Sequence, residues 1–324
     1  MSKHSAQTAA VMKGPKPKKL SWRKDWNRNK WKYIMMIPVL LWLAFFCYKP
    51  MYGLIIAFKN YKITRGIAGS EWADPWYKWF QNFFEDPYCG RVISNTFIIS
   101  GLTILFGFPA PIILALMINE VHNAAFKKTV QTVTYLPYFI SMVVTCALIK
   151  TFCMQNGLFS QIAVAFGGDA VNYLADPKYF RTIYVVSDIW QTVGWNSIIY
   201  LAALTGIDQE LYEAAKVDGA NRWQQMIHIT LPSLVPTIMV LFILRMGSIL
   251  NVGYEKILLL YNPNTYSVAD VISTYTYRLS FAPSGNQPMY SKSTAIGLFN
   301  TMVNVVFLLI TNYISKKTTE SGLF

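Results

Sequence analysis

Apolar residues run in long stretches along this chain, and polar ones gather between them. Six stretches reach the roughly 20 residues that a membrane-spanning helix needs: about 33–58, 92–119, 129–152, 180–206, 232–260 and 293–315. They lack the polar faces that helices of a soluble bundle would carry. The pattern predicts an all-α integral membrane protein with six transmembrane helices over 33–316. Residues 1–32 and 317–324 form the two tails, and a polar, amphipathic loop at 207–232 separates the fourth and fifth spans.

Charge sets the expected orientation. The first tail holds Lys3, Lys13, Lys16, Lys18, Lys19, Arg23, Lys24, Arg28, Lys30 and Lys32, opposed only by Asp25. Basic flanks mark the cytoplasmic side. Lys127, Lys128, Lys316 and Lys317 fall on that same side when six spans are threaded, so both termini are expected in the cytoplasm. The net charge of +13 then belongs to a basic arm beside anionic membrane lipid, and no nucleic-acid recognition motif accompanies it. The polar lead is too long for a cleavable signal, so the first helix is expected to stay. Residues 14–19, Gly-Pro-Lys-Pro-Lys-Lys, read as extended and flexible.

Composition agrees: 53% of residues are hydrophobic and 14% charged, against about 25% charged in soluble domains. Cys47, Cys89, Cys146 and Cys153 form no C-x-x-C pair, which indicates neither a disulfide framework nor a zinc site. The interval 59–91 carries Trp72, Trp76, Tyr77, Trp79, Phe80, Phe83 and Phe84. It reads as one or two interfacial helices at headgroup level, or else as a sugar-stacking surface. The other outer loops, 153–179 and 261–292, are too short to hold a ligand-binding domain, so solute capture would fall to another protein.

The loop IDQELYEAAKVDGANRWQQMIHITL at 207–231 has its own grammar. Asp208 is placed to cap a helix, Leu211, Ala214, Ala215 and Val217 give that helix an apolar side, and Gly219 suits a left-handed ending. Asn221 is placed to cap a second short helix, with Pro232 and Pro236 at the entry to the next span. Two short helices across the cytoplasmic mouth suit docking into a partner's groove or resting on the membrane surface. His228 in this loop reads as a packed histidine.

Glu213-Ala214-Ala215, three residues, Gly219, nine residues, then Ile229-x-Leu231-Pro232 resembles the EAA signature of bacterial ABC-importer permeases, matching at every fixed position. PMYGLIIAFKNY at 50–61, GFPAPIILALMINE at 107–120, YLPYFIS at 135–141 and ILLLYNP at 257–263 are similar to the carbohydrate-uptake (maltose-type) branch. Within it they are most similar to the polysaccharide and lipoprotein-dependent oligosaccharide permeases. The resemblance implies a bacterial cytoplasmic-membrane subunit forming half of a pore with a second EAA-type permease, in a heterodimer. It implies two ATPase subunits beneath, with ATP and Mg held there. An extracytoplasmic solute-binding protein or lipoprotein would deliver an oligosaccharide. ATPase coupling would fall to Glu213, Ala214, Ala215, Asp218, Gly219, Ile229, Leu231 and Pro232. This chain has no Gly-Lys dipeptide and hence no phosphate-cradling P-loop. Neither a catalytic triad nor a metal cluster forms around its three histidines, His4, His122 and His228. It is expected to be a transport subunit, not an enzyme, with no cofactor of its own.

Polar residues inside spans are costly and usually face a cavity or a partner. Tyr184, Asp188, Gln191 and Trp195 recur at steps of four, three and four, with Asn196 adjacent, and the fifth span carries Arg245, Asn251, Tyr254 and Glu255. Two readings stand side by side. These residues line a sugar path, with hydroxyls bonded by Asp, Asn and Gln and rings stacked on Trp and Tyr. Alternatively they lock the spans together, with Asp188 paired to Arg245. An unpaired Arg245 would suit a uronate carboxylate. Two other functions compete: an importer of a non-sugar solute, and a permease-like regulatory membrane subunit.

Overall fold

Proline decides where the long helices change pitch. A proline lacks the N–H for the ladder, and its ring crowds the carbonyl four residues back. Three wide π-turns relieve that crowding: Leu43–Tyr48 before Pro50, Thr103–Gly107 before Pro109, and Met226–Thr230 before Pro232. Each helix therefore continues past its proline instead of ending there.

The computed structural model describes residues 22–281, 289–319, 322 and 323. Lys3 to Lys19 and the Gly-Pro-Lys-Pro segment lie outside the described residues. The chain divides into two units, Met1–Leu54 and Ile55–Phe324. In the first, helix α1 (Trp22–Trp42) runs on through the wide turn at 43–48. Asp25 accepts hydrogen bonds from Asn29 Nδ2 at 2.7 Å and from the Tyr33 hydroxyl, and the Trp26 and Tyr33 rings stack. Its apolar side chains, Met35, Leu40, Phe46 and others, are exposed.

The second unit contains α2 (Lys78–Phe84), α3 (Cys89–Glu120), α4 (Ala124–Tyr135), α5 (Met142–Cys153), α6 (Leu158–Ala165) and α7 (Pro177–Thr205). These are followed by α8 (Gln209–Val217), α9 (Arg222–Met246), α10 (Tyr254–Leu260), α11 (Ile272–Phe281) and α12 (Tyr290–Thr319). The described residues form no strand, only an isolated bridge between Lys59 and Trp72. Among the described residues, five stretches are long and apolar enough to cross a membrane: Asp25–Phe58, Cys89–Glu120, Met142–Ala165, Arg222–Met246 and Tyr290–Thr319. The 29-residue α7 falls outside that set. It has the length, about 43 Å at 1.5 Å per residue, but Asp188, Gln191 and Asn196 lower its hydropathy.

The expected spans need correction in places. The stretch 129–152 is not one helix: α4 ends at Tyr135, a 3₁₀ turn covers Leu136–Phe139 around Pro137, and Ser141 caps α5 by accepting from Val144 N–H. The stretch 232–260 is also broken. α9 stops at Met246, residues 247–253 turn, and α10 begins at Tyr254. Broken helices at membrane depth persist where protein or a cavity receives their freed backbone groups. The last helix continues through Lys316 and Lys317 to Thr319, beyond the expected end at 315. The aromatic interval 59–91 is not wholly interfacial, since Phe83 of α2 is buried against Tyr275 and Phe299.

Helix α7 is central in this unit, packing against Pro109–Glu120 of α3, against α4, and against α9. α12 packs against α9, α11 and α2. One apolar cluster joins Ile99, Cys146, Phe180, Val185, Ile257 and Val271; another joins Phe83, Val92, Leu250, Ile272 and Ile296.

At the end of the unit that holds 59–95, polar side chains fasten the segments together. Asp270, fully buried, takes both arms of Arg278 at 2.8 and 2.6 Å, and Asn95 bonds the carbonyls of Ser267 and Asp270. Asp86 accepts from Lys292, from the Tyr275 hydroxyl at 2.6 Å and from Tyr88 N–H at 2.9 Å. Burial pushes the Asp86 carboxyl up, but the Lys292 and Tyr275 bonds outweigh it and leave it below its ordinary value of 3.8. A carboxyl lowered on folding contributes stability above its unfolded pKa, and loses it as pH falls through the folded one. The thermal midpoint of the purified protein should therefore exceed that of Asp86→Asn at pH 7. The gap should start to narrow near pH 4 and vanish only once the folded-state carboxyl is protonated as well. A gap that persists unchanged to pH 3 would remove the ionised carboxylate from the account.

Candidate functional site

Within the Ile55–Phe324 unit, the faces of α3, α7 and α9 and the turn after α9 enclose a cavity of about 420 Å³. Its polar lining includes Tyr184, Asp188, Thr192, Asn196, Arg245 and Asn251, joined by Ser100, Thr103 and Tyr200. Five of the nine expected path residues thus meet: Tyr184, Asp188, Asn196, Arg245 and Asn251. The other four do not. Gln191 is buried and donates to Ile140 O and Thr145 Oγ1, both at 3.3 Å, on the neighbouring α5 side. Trp195 lies flat on Tyr138, with ring centroids 4.6 Å apart. Tyr254 stacks on Tyr277, and Glu255 is exposed. The arc of α7 that faces the cavity follows steps of four, 184–188–192–196–200, while the 191–195 edge turns toward the break between α4 and α5.

The expected pair of Asp188 with Arg245 does not form. Lys256, with 1% of its side chain exposed, reaches Asp188 Oδ1 at 3.4 Å and also donates to Tyr184 O at 3.3 Å. Its ammonium lies 4.9 Å from the centre of the Tyr184 ring. The turn at 247–253 makes this possible by folding α10 back so that Lys256 points inward against α7. Sequence reasoning missed Lys256, because a lysine at the head of an apolar run looks like an interfacial anchor. It also missed Thr192 and Tyr200, which the four-residue steps from Asp188 would have found. Among the described residues, the Arg245 guanidinium makes no hydrogen bond or ion pair, while its backbone carbonyl accepts from Ser248.

Asn251 is held from behind: its Oδ1 accepts from Asn300 at 3.1 Å and Asn304 at 3.2 Å, and Asn304 Oδ1 accepts from Leu250 N–H. Ser100 Oγ donates to Ile249 O. These bonds pin the turn after α9, so the cavity wall formed by irregular backbone is well tied to α3 and α12.

At the opposite end of α7, the loop has the expected caps. Asp208 accepts from Glu210 N–H at 3.0 Å, and Gly219 has φ +78°, the left-handed ending of α8. Asn221 and Gln224 form a reciprocal capping box. The second helix is not short, however: it is the first part of α9, which runs from Arg222 through the wide turn to Met246, so Pro232 lies inside a continuous helix and does not mark an entry. Tyr212 bonds Thr230 at 2.9 Å and ties α8 to α9. Ala215, Asp218, Gly219, His228 and Ile229 line a groove of about 310 Å³. His228 is exposed, not packed, and its Nδ1 bonds only Gln224 O at 3.0 Å. α8 buries no residue; Leu211, Val217, Trp223 and Ile227 all face outward, and Glu213 is exposed without a partner among the described residues. Leu231 is half-buried and Pro232 exposed.

Residues 107–320, more than half the chain, match the model of the family described as the binding-protein-dependent transport system inner membrane component. The chain belongs to this family. It is a multi-pass membrane component of a transport system, and not an enzyme. Protein LplB of Bacillus subtilis (strain 168) is 42% identical over 308 residues, 95% of each chain. The polygalacturonan/rhamnogalacturonan transport system permease protein YteP of the same organism is 40% identical, covering 92% of this chain and 91% of that one. A bacterial alginate ABC transporter, crystallised in complex with an alginate pentasaccharide-bound periplasmic protein, includes a chain 45% identical to this one. The match covers 93% of this chain and 99% of that one, with a TM-score of 0.84. Members of the family are permease subunits, so the cavity and the capped loop belong to a translocating molecule.

Proposed function

We propose that this chain forms half of the translocation path of an ABC importer for oligosaccharides. The observation that carries the reading is the cavity of Tyr184, Asp188, Asn196, Arg245 and Asn251 within the helices of a transport permease. Its amide, carboxylate and guanidinium groups bond sugar hydroxyls, and its aromatic rings give apolar faces. The permease relatives whose names carry polygalacturonan, rhamnogalacturonan and alginate support a carbohydrate cargo.

In this reading α7 is the sixth span, and residues 33–316 are the transmembrane domain of a bacterial cytoplasmic-membrane protein. Its polar side faces the path and the other packs on α4 and α5, so little of its polarity meets lipid. Both termini and the loop 207–232 lie in the cytoplasm, as the basic flanks require. A second EAA-type permease completes the pore, two ATPase subunits hold ATP and Mg, and a solute-binding protein or lipoprotein delivers the sugar. The outward-facing Leu211, Val217, Trp223 and Ile227 supply an apolar docking face, with Glu213 free to make a polar contact and the 215–229 groove beside it. ATP-driven closure of the ATPases would move α8. Tyr212–Thr230 and the continuous helix from Arg222 to Met246 would pass that motion to the cavity wall at Arg245.

The test is ATP hydrolysis by the assembled complex in lipid vesicles, with partner permease, ATPase and loaded binding protein. Glu213→Ala combined with Gly219→Pro removes the polar contact and forces a φ near −65° where +78° is needed. Stimulation by the loaded binding protein should fall about tenfold or more, the loss that about 1.4 kcal/mol of coupling represents. Unchanged stimulation would mean that the loop does not couple, and a regulatory membrane subunit would become the better account.

A further inference from the structure

The cavity is lined by two ionisable side chains of opposite sign, yet they do not cancel one another. Asp188 directs Oδ1 to Lys256, which is buried behind it and spends its other contacts on Tyr184. Arg245 faces the same space with no partner among the described residues. The three charges sum to one uncompensated positive charge, and it sits on the group that opens to the cavity. Around it, Asn196 and Tyr200 also line the space with no side-chain hydrogen bond among the described residues, whereas Thr192 and Ser100 already donate to Asp188 O and Ile249 O. An uncompensated guanidinium inside a span is costly unless a cavity or ligand receives it.

We propose that Arg245 is a specificity-determining residue that takes a carboxylate of the passing sugar, making this path selective for acidic oligosaccharides over neutral ones. A planar guanidinium matches a carboxylate with two parallel N–H···O bonds, which a neutral hydroxymethyl group cannot reproduce. Asn196 and Tyr200 are free to bond the adjacent hydroxyls. Asp188 does not repel the anion outright, because Lys256 neutralises it from behind. The inference rests on the importer reading above and adds the charge of the cargo to it.

The experiment uses the complex of this chain with its partner permease and ATPase in nanodiscs, without the binding protein, so that only the path selects. The probes are a free uronate trisaccharide and its carboxyl-reduced neutral counterpart, with binding followed by calorimetry at low salt. The wild type should prefer the uronate about tenfold or more, the range expected for a charged hydrogen-bonded contact. Arg245→Gln should bring the preference near one, and Arg245→Lys should keep part of it. Asn196→Asp leaves Arg245 in place but adds a negative charge to the same wall, and should also abolish the preference. That variant keeps the test informative even where Arg245→Gln does not assemble. Equal binding of the two sugars by the wild type, no binding of either, or an unchanged preference in both Arg245→Gln and Asn196→Asp would overturn the proposal. ATP-dependent uptake of neutral oligosaccharides by the full transporter, alongside such a result, would leave the importer reading standing and remove only the charge selectivity.

Discussion

Gly194→Val should prevent the protein from accumulating as a folded membrane species, while Gly101→Ala should leave it intact or slightly more stable. Gly194 lies on α7 where it crosses α4. A Cβ added there would sit 2.1 Å from Thr134 O and 3.0 Å from Tyr135 Cδ1, and the first of these is backbone that no rotamer change can move. Small residues at helix crossings let backbones approach closely, and in a membrane that close approach supplies much of the packing energy. Even alanine must separate the helices, an overpacking cost of about 1–3 kcal/mol. Valine adds two methyls to the same collision. Gly101 on α3 is the control: a Cβ added at that position would meet nothing within 4 Å, and alanine in a helix is better than glycine by roughly 0.5–1 kcal/mol. Size-exclusion profiles and apparent thermal midpoints of detergent-extracted protein would check the series. The order should be Gly101→Ala at or above wild type, Gly194→Ala lower by several degrees, and Gly194→Val without a monodisperse peak. A normal profile for Gly194→Val would show that α4 and α7 do not meet this closely.

Much of this architecture is legible from local rules. The caps at Asp208 and Asn221 and the left-handed Gly219 depend on a few neighbouring residues, and they occur as the sequence predicts. The long apolar runs likewise identify membrane helices, because lipid imposes one requirement on every exposed face. What hydropathy averages conceal is where a helix breaks. Pro137 and the pair Gly247 and Gly253 punctuate two runs that look continuous when scored as windows. Conversely, Pro232 looks like a boundary but lies inside a helix that a wide turn carries past it.

The cavity was half visible for a geometric reason. Steps of three and four from Asp188 reach Gln191 and Thr192, which lie about 100° apart on the helix. Sequence alone does not say which of these neighbours meets the cavity and which meets α5. Packing decides it: the break around Pro137 presents Ile140 O and Tyr138 to the 191–195 edge and leaves 192–196 facing inward. The tethers Asp270–Arg278 and Asp86–Lys292 were also hidden, since each joins residues that hydropathy assigns merely to loops or span ends.

The partner of Asp188 gives the other large expected effect. Lys256→Met and Asp188→Asn should each destabilise the protein more than the double variant does, whereas Arg245→Met should not rescue Asp188→Asn. The buried ammonium of Lys256 has Asp188 as its one anionic contact at 3.4 Å among the described residues, with Tyr184 O and the Tyr184 ring completing its surroundings. Removing either partner strands the other, at a cost of about 3–5 kcal/mol for a buried pair, while replacing both removes the stranded charge and can be close to neutral. The cost of Lys256→Met should be somewhat smaller than that of Asp188→Asn, because Asp188 keeps one side toward the cavity and water there can solvate it. The cycle is read in apparent thermal midpoints of the purified complex, where a coupling well above about 0.5 kcal/mol separates contacting residues from independent ones. Additive losses for Asp188 and Lys256 would mean the pair contributes nothing as a pair. Rescue by Arg245→Met would restore Arg245 as the partner of Asp188, and the cavity would then carry no spare cation for an acidic sugar. The two cycles therefore decide between a wall locked by its own charges and one that keeps a charge for its cargo.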